Sequence, residues 1–123
     1  MYQSRADIDQ NRLYVTLKGR IASEESKQAA SRVIADLKKL EPGFDVVTDI
    51  SEFEPATQKE VDILIQVHKV LIESGVNRIA RVVGREIKAT VGKIQFERAS
   101  KLTKVVAENF DSVEDADRYL DGK

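Results

Sequence analysis

The sequence predicts an α/β domain built on a single mixed sheet of four to five strands. An N-terminal antiparallel hairpin leads into right-handed parallel β-α-β units, with the helices mainly on one face. Three observations carry this expectation. Apolar strand-like runs and helical periodicities follow one another as β-β-α-β-α-β-α-β-α, an order that pairs strands in parallel through right-handed crossovers. The first two runs are separated only by the turn residues Asp9-Gln10-Asn11, which reads as a hairpin. Polar side chains interrupt the strands at Tyr14, Thr16, Lys18, Arg78 and Arg81. Strands covered on both faces are nearly continuous in apolar residues, so one face of the sheet is expected to be comparatively open.

The elements follow in order. Tyr2 to Ile8 alternates weakly, whereas Leu13, Val15 and Leu17 alternate cleanly with Tyr14, Thr16 and Lys18, the period of two of a half-buried strand. Ser23 is the expected N-cap of the first helix, with Glu24 and Glu25 at the positive end of its dipole. Ala29/Ala30, Val33/Ile34, Leu37 and Leu40 recur at helical spacing. Lys38 and Lys39 suit the C-terminal end, and Pro42-Gly43 is the stop. Phe44 to Ile50 is the next strand, with Asp49 near its C-terminal end and a polar connection over Ser51 to Ala56.

Thr57 and Glu60 have the spacing of a capping box that opens a second helix, and Gly75 closes it. This helix is unusually apolar. Val61, Leu64, Ile65, His68, Leu71 and Ile72 form a stripe that Ile63, Val67 and Val70 widen. One sheet face does not cover so wide a stripe, so the helix is wedged between neighbouring helices or partly given to an interface. Val76 to Val83 reads as a strand ended by Gly84. A third helix is expected from Arg85 to Leu102, with a slip between an Ile87/Val91/Ile94 face and a Phe96/Ala99/Leu102 face, and Gly92 at the slip permits a kink. Lys104 to Ala107 is a short strand around Val105-Val106. Ser112 and Asp115 form a second capping box before a helix that buries Val113, Ala116 and Leu120.

Composition narrows the chemistry. The 123 residues suit one domain spanning residues 1–123, and 41% hydrophobic with 33% charged content is that of a globular chain. Twenty Lys and Arg against 21 Asp and Glu leave no global field to attract nucleic acid or anionic lipid. No apolar run exceeds three residues, so no transmembrane segment is expected. Met1 to Arg5 lacks the core of a signal peptide, which makes the cytoplasm the default compartment. Absence of cysteine removes disulfides, thiol catalysis and thiolate metal sites. A single histidine, His68, leaves no histidine-rich metal site and no second ligand for one. No cofactor and no metal are expected.

The stretch Leu17-Lys18-Gly19-Arg20-Ile21, a helix, and then Val46-Val47-Thr48-Asp49-Ile50-Ser51-Glu52-Phe53 is similar to the STAS domain, the family of bacterial anti-sigma-factor antagonists. It is closest to the divergent STAS/Sec14-like branch. The resemblance covers nearly the whole chain and rests on element order as much as on identities. It implies a four-to-five-stranded sheet with helices on one side and a non-enzymatic regulatory or binding role. In the regulatory family an Asp-Ser-Ser-Gly stretch opens the second helix, and one serine is phosphorylated by a partner kinase. Laid over this chain without a gap, the stretch falls on Thr57-Gln58-Lys59-Glu60, with lysine at the modified position. A phosphate at a helix N-terminus changes local charge and partner binding, and Lys59 does not accept one in that way.

The candidate binding mouth therefore comprises Asp49, Ser51, Thr57, Gln58 and Lys59, with Glu52 beside them. Ligands of open α/β sheets favour the loops beyond the strand C-termini, and the first amides of a helix favour anions. The bland alternative is that Thr57 and Glu60 merely cap each other. Ile63, Val67 and Val70 are the candidate interface, for a protein partner or a second copy of the chain. A small apolar or lipid-like ligand is the alternative that the Sec14-like side of the resemblance implies. Glu52 and Glu54 as paired acids, or with Asp45 and Asp49 as a cation site, match no known spacing. Residues 76–104 hold eight basic side chains against Glu86 and Glu97. They are spread around the third helix without a nucleic-acid motif, and neighbouring acidic segments are expected to neutralise them.

Overall fold

The computed structural model describes residues 1–83, 87–104 and 106–122, with 87–90 described as backbone. It contains one five-stranded sheet with strands side by side in chain order. β1 (Tyr2–Asp7) pairs antiparallel with β2 (Arg12–Gly19), and Asn11 takes the positive φ of 52° that the intervening turn requires. β3 (Asp45–Phe53), β4 (Arg78–Val82) and β5 (Ala107–Phe110) then add in parallel. Helices α1 (Ser23–Leu37), α2 (Gln58–Glu73) and α3 (Ile87–Thr103) join these strands, and α4 (Val113–Leu120) follows the last.

Alternation along the strands sorts the core into two layers. Leu13, Val46 and Ile79 pack with Val33 and Leu37 of α1 and Leu71 of α2. Their neighbours Val47, Ala80 and Val82 face the other way and meet Ala116 and Leu120 of α4, with Tyr14, Phe110 and Tyr119 around them. Three helices thus share one face, as expected, but the opposite face is closed over β3 and β4 by α4. Apolar residues on the second face of the central strands need that cover. Arg12 pins it there: its guanidinium bonds Asp117 at 3.1 Å and Asp121 at 2.9 Å, and the Tyr14 hydroxyl donates to Asp117 at 2.5 Å. Burial works against the Arg12 charge, but the bonds to Tyr14 and Asp121 outweigh it and raise the pKa above the ordinary arginine value.

Several boundaries differ from the sequence reading. Ser23 lies inside α1, whose N-cap is Ala22 with no side-chain bond; the Ser23 hydroxyl is used by Glu60 of α2 instead. α1 stops at Leu37, and Leu40 packs against the core from the turn beyond it. β3 runs on through Phe53, so Ser51 and Glu52 belong to a strand and the connection shrinks to Glu54-Pro55-Ala56. β5 begins at Ala107, three residues later than expected, because α3 reaches Thr103 and Lys104 turns the chain with φ of 60°. Gly84, Arg85, Glu86 and Val105, together with the side chains of Ile87 and Lys88, lie outside the described residues.

α3 runs without interruption through Gly92. Its buried face is Gly92, Phe96, Ala99 and Ser100, while Val91, Ile94 and Leu102 are solvent-exposed. The two faces read from the sequence are therefore regrouped. A Cβ on Gly92 would stand 2.8 Å from the Phe53 ring, so glycine is there for close approach of helix to strand. α2 is capped as the sequence implies at both ends. Thr57 and Glu60 make the reciprocal capping box. At the other end Gly75, with φ of 89°, donates to Ile72 and Val76 donates to Leu71, the paired bonds of a Schellman motif. The second box is half made: Ser112 accepts from Asp115 N–H, and the shorter Asp115 side chain pairs with Arg118.

Candidate functional site

The expected mouth begins on β3. Thr16 pairs with Asp49 and Lys18 with Glu52, so Leu17 faces two residues, Ile50 and Ser51, and β3 bulges there. The bulge lets Ile50 and Phe53, three apart, join the same buried cluster with Ile21 and Phe96. It also leaves the Ser51 backbone to be held by a side chain. Asp49 Oδ1 accepts from Ser51 N–H at 3.0 Å and from the Ser51 hydroxyl at 2.6 Å. Both side chains are half-buried. Asp49 shares the strand parity of Val47, which packs under α4, so it lies across the sheet from α1 and α2.

The second part of the mouth is the start of α2. Thr57, Gln58 and Lys59 are exposed; Thr57 caps the helix, and Gln58 donates to Asp62 one turn on. Among the described residues no hydrogen bond or ion pair joins them to Asp49 or Ser51. The sequence placed the five residues in one mouth, whereas the structure sets them as two groups. Glu52 is exposed and pairs with Lys18 at 3.4 Å.

What organises this end of the molecule is Glu60. Its carboxylate is buried and accepts from both terminal nitrogens of Arg20, at 2.5 and 3.0 Å. It also accepts from the Ser23 hydroxyl and the Thr57 N–H, each at 3.0 Å. The Arg20 bond chiefly holds the Glu60 pKa down to about 2, against the burial that would raise it. The preceding loop is fixed from the other side, where the Gln95 amide donates to Ala56 O and accepts from Ala56 N–H, both at 2.9 Å. The exposed rim Thr57-Gln58-Lys59 is thus presented on a rigid base. The capping spacing revealed Glu60 as a cap. Its pairing with Arg20, forty residues away, had no local signal.

The candidate interface residues sit differently from one another. Ile63, Val67 and Val70 are all half-buried. Val70 and Val67 pack against the core cluster under α1, and Ile63 and Val67 line an apolar crevice of about 100 Å³ between α1, α2 and the sheet. The wide stripe of α2 is accounted for by contact with α1 on one side and α3 on the other, the first of the two possibilities the sequence left open. Ile72 is the exposed apolar residue of this helix.

His68 is buried, with Nδ1 2.8 Å from Leu64 O and its ring edge-on to Phe96. Burial chiefly pushes its pKa below the ordinary value, the bond to Leu64 works in the other direction, and the Arg81 charge lowers it further. It is a neutral core histidine. Among the described residues no group of three or more His, Asp or Glu is placed to hold a metal. Arg81 is the feature that sequence reading missed. As a charged residue within a strand it points to an open face, yet it is 2% exposed beneath α3. There it donates to the Ser100 hydroxyl at 2.7 Å and lies over the Phe96 ring, with Nε unpartnered. Burial brings its pKa down to about 10, opposed by Glu97. Of the other basic residues, Arg78 is bonded to Asp45 at 2.8 Å, Lys93 pairs with Glu97, and Arg98 and Lys101 are exposed.

No protein-family model and no curated protein matches this sequence. Solved structures do. The anti-sigma factor antagonist SpoIIAA in its unphosphorylated form superposes with a TM-score of 0.67 at 10% identity, covering 100% of this chain and 98% of that one. The protein TM1081, solved by NMR, gives a TM-score of 0.60 at 16% identity, covering 100% and 90%. The likeness is one of fold, and the fold is STAS-like. No helix among the described residues is long and apolar enough to cross a membrane.

Proposed function

We propose that this chain, with the fold of an anti-sigma factor antagonist over its whole length, is a non-enzymatic regulatory or binding module that acts through protein-protein contact. The observation that carries the reading is the full-length likeness to SpoIIAA, on a chain that contains no cysteine and one histidine, itself buried. The contact surface is the exposed rim Thr57-Gln58-Lys59 at the start of α2, with Asp49 and Ser51 as a separate polar pair at the bulge and the half-buried Ile63, Val67 and Val70 of α2, of which Ile63 and Val67 border the crevice. Such a rim, backed by Glu60 and Gln95, meets a partner with little ordering cost.

With the family's stretch laid over this chain without a gap, Lys59 falls at the phosphorylated position and puts a positive charge there. A partner that reads this rim therefore presents an acidic group to it in place of sensing phosphate. The test is affinity capture from cells that make the protein, comparing wild type with Lys59→Glu, a change at an exposed position in the first turn of α2, with circular dichroism to check that the variant is folded. A protein retained by the wild type and lost by the variant supports the reading. Equal retention by both, or none by either, overturns this surface. Native mass spectrometry of the same preparation reports whether the partner is a second copy.

A further inference from the structure

The inner stripe of α1 facing α2 is made of small residues, Ser26, Ala29, Ala30 and Val33, four positions on one helical face. Opposite them stand Ile63, Leu64 and Val67 of α2, with Leu13, Val15 and Val46 of the sheet below. Small residues on one wall do not fill the space between two helices and a sheet, and the result is the crevice of about 100 Å³. Interiors are close-packed, with few voids larger than a water molecule, so a void of this size has to be explained.

Thr48 supplies a second observation. It lies at the middle of the central strand, on the face covered by α1 and α2, yet it is only half-buried while Val46, Val47 and Ile50 around it are buried. Its accessible surface opens into the crevice, which it lines. His68 lines the same space. With its Nδ1 proton directed to Leu64 O, the neutral ring leaves Nε2 as an acceptor. Glu60 also borders the crevice, but its oxygens are committed to Arg20, Ser23 and Thr57, so the site offers no free charge.

We propose that this crevice binds a compact, uncharged, mainly apolar molecule whose one polar atom meets the Thr48 hydroxyl. An engineered apolar cavity of about 150 Å³ takes benzene; by that measure the crevice takes about four or five non-hydrogen atoms, the size of a short alcohol or ketone. A long acyl chain is too large. The proposal stands apart from the protein-partner reading and does not depend on it.

The experiment is a methyl NMR titration of the full chain with n-alkanols from propan-1-ol to octan-1-ol. Saturable shifts are expected at Val15, Val46 and Val67, with affinity strongest at propan-1-ol or butan-1-ol and falling for longer chains. Thr48→Val keeps the shape and removes the hydroxyl, and is expected to weaken butan-1-ol at least threefold. Ala30→Leu and Val67→Phe fill the space and are expected to weaken it at least tenfold without lowering Tm. Shifts that never saturate, affinity that climbs through octan-1-ol, or wild-type affinity in a folded filled variant each overturn the proposal. If both filled variants unfold, the chain-length profile and Thr48→Val still decide it.

Discussion

Gly92 and Arg81 show how a single side chain acquires its meaning from what packs on it. Gly92 has no positive φ, and its requirement comes from Phe53, whose ring would meet a Cβ at 2.8 Å. The ring is buried and stacks edge-on to Phe96 at 5.4 Å, so it has little room to yield. Gly92→Ala is therefore expected to destabilise by about 1–3 kcal/mol despite the better helix propensity of alanine. The readout is urea unfolding, and an increase in stability would show that Phe53 moves freely. Arg81 is a buried cation with one side-chain hydrogen bond among the described residues and an orphaned Nε. Apolar replacement of buried charge is often neutral or stabilising. Arg81→Met is expected to unfold at or above the wild-type urea midpoint, and a loss of more than about 2 kcal/mol would reveal a stabilising role for the charge.

Glu60 adds a pH dependence at the same scale. Its pKa is about 2 in the folded chain against an ordinary 4.5, so the folded state favours the charged form. The stabilisation is complete above about pH 4.5 and is lost as the pH falls through the folded value near 2. Glu60→Gln cannot ionise, so the gap in Tm between wild type and variant is expected to narrow as pH falls through that window. A gap that stays constant would mean that the carboxylate contributes only as a cap.

At the scale of elements, α4 is short and its contribution comes from what it covers. Ala116 and Leu120 are buried on Val47, Ala80 and Val82, and Arg12 ties the helix to β2 through Asp117 and Asp121. Deleting residues 112–123 uncovers that apolar face of the sheet, and exposed patches of this kind associate. The truncated chain is expected to sediment as concentration-dependent oligomers, or to fail to fold, while the full chain does not share that behaviour through this face. A stable truncated monomer would show that α4 is dispensable. The ends of α2 illustrate what local sequence can encode: Thr57/Glu60 and Gly75 were legible because capping involves residues within one turn. The start of α1 was not, because Ser23 has the right chemistry for an N-cap but finds a stronger acceptor in Glu60.

For the whole molecule, the two core layers share β3, since Val46 belongs to one cluster and Val47 to the other. Neither layer has a complete set of walls without that strand, so both are expected to unfold in one cooperative transition. Tyrosine fluorescence of a Tyr2→Phe variant, which reports Tyr14 and Tyr119 on the α4 side, should coincide with far-UV circular dichroism in urea. Separate midpoints would mean that the α4 layer opens first.

Periodicity and turn chemistry alone established the order of elements, the N-terminal hairpin, the parallel crossovers and the caps of α2, because each depends on residues within a few positions of one another. Only the tertiary structure decided that α4 closes the second face, that Arg81 is buried, that Gly92 is a contact point, that Asp49 lies across the sheet from α2, and that a crevice opens above Thr48. Each of these depends on which residues meet across distances of ten to a hundred positions. Local pattern does not contain that information: a side chain's burial, partners and pKa are set by whatever the rest of the chain brings against it.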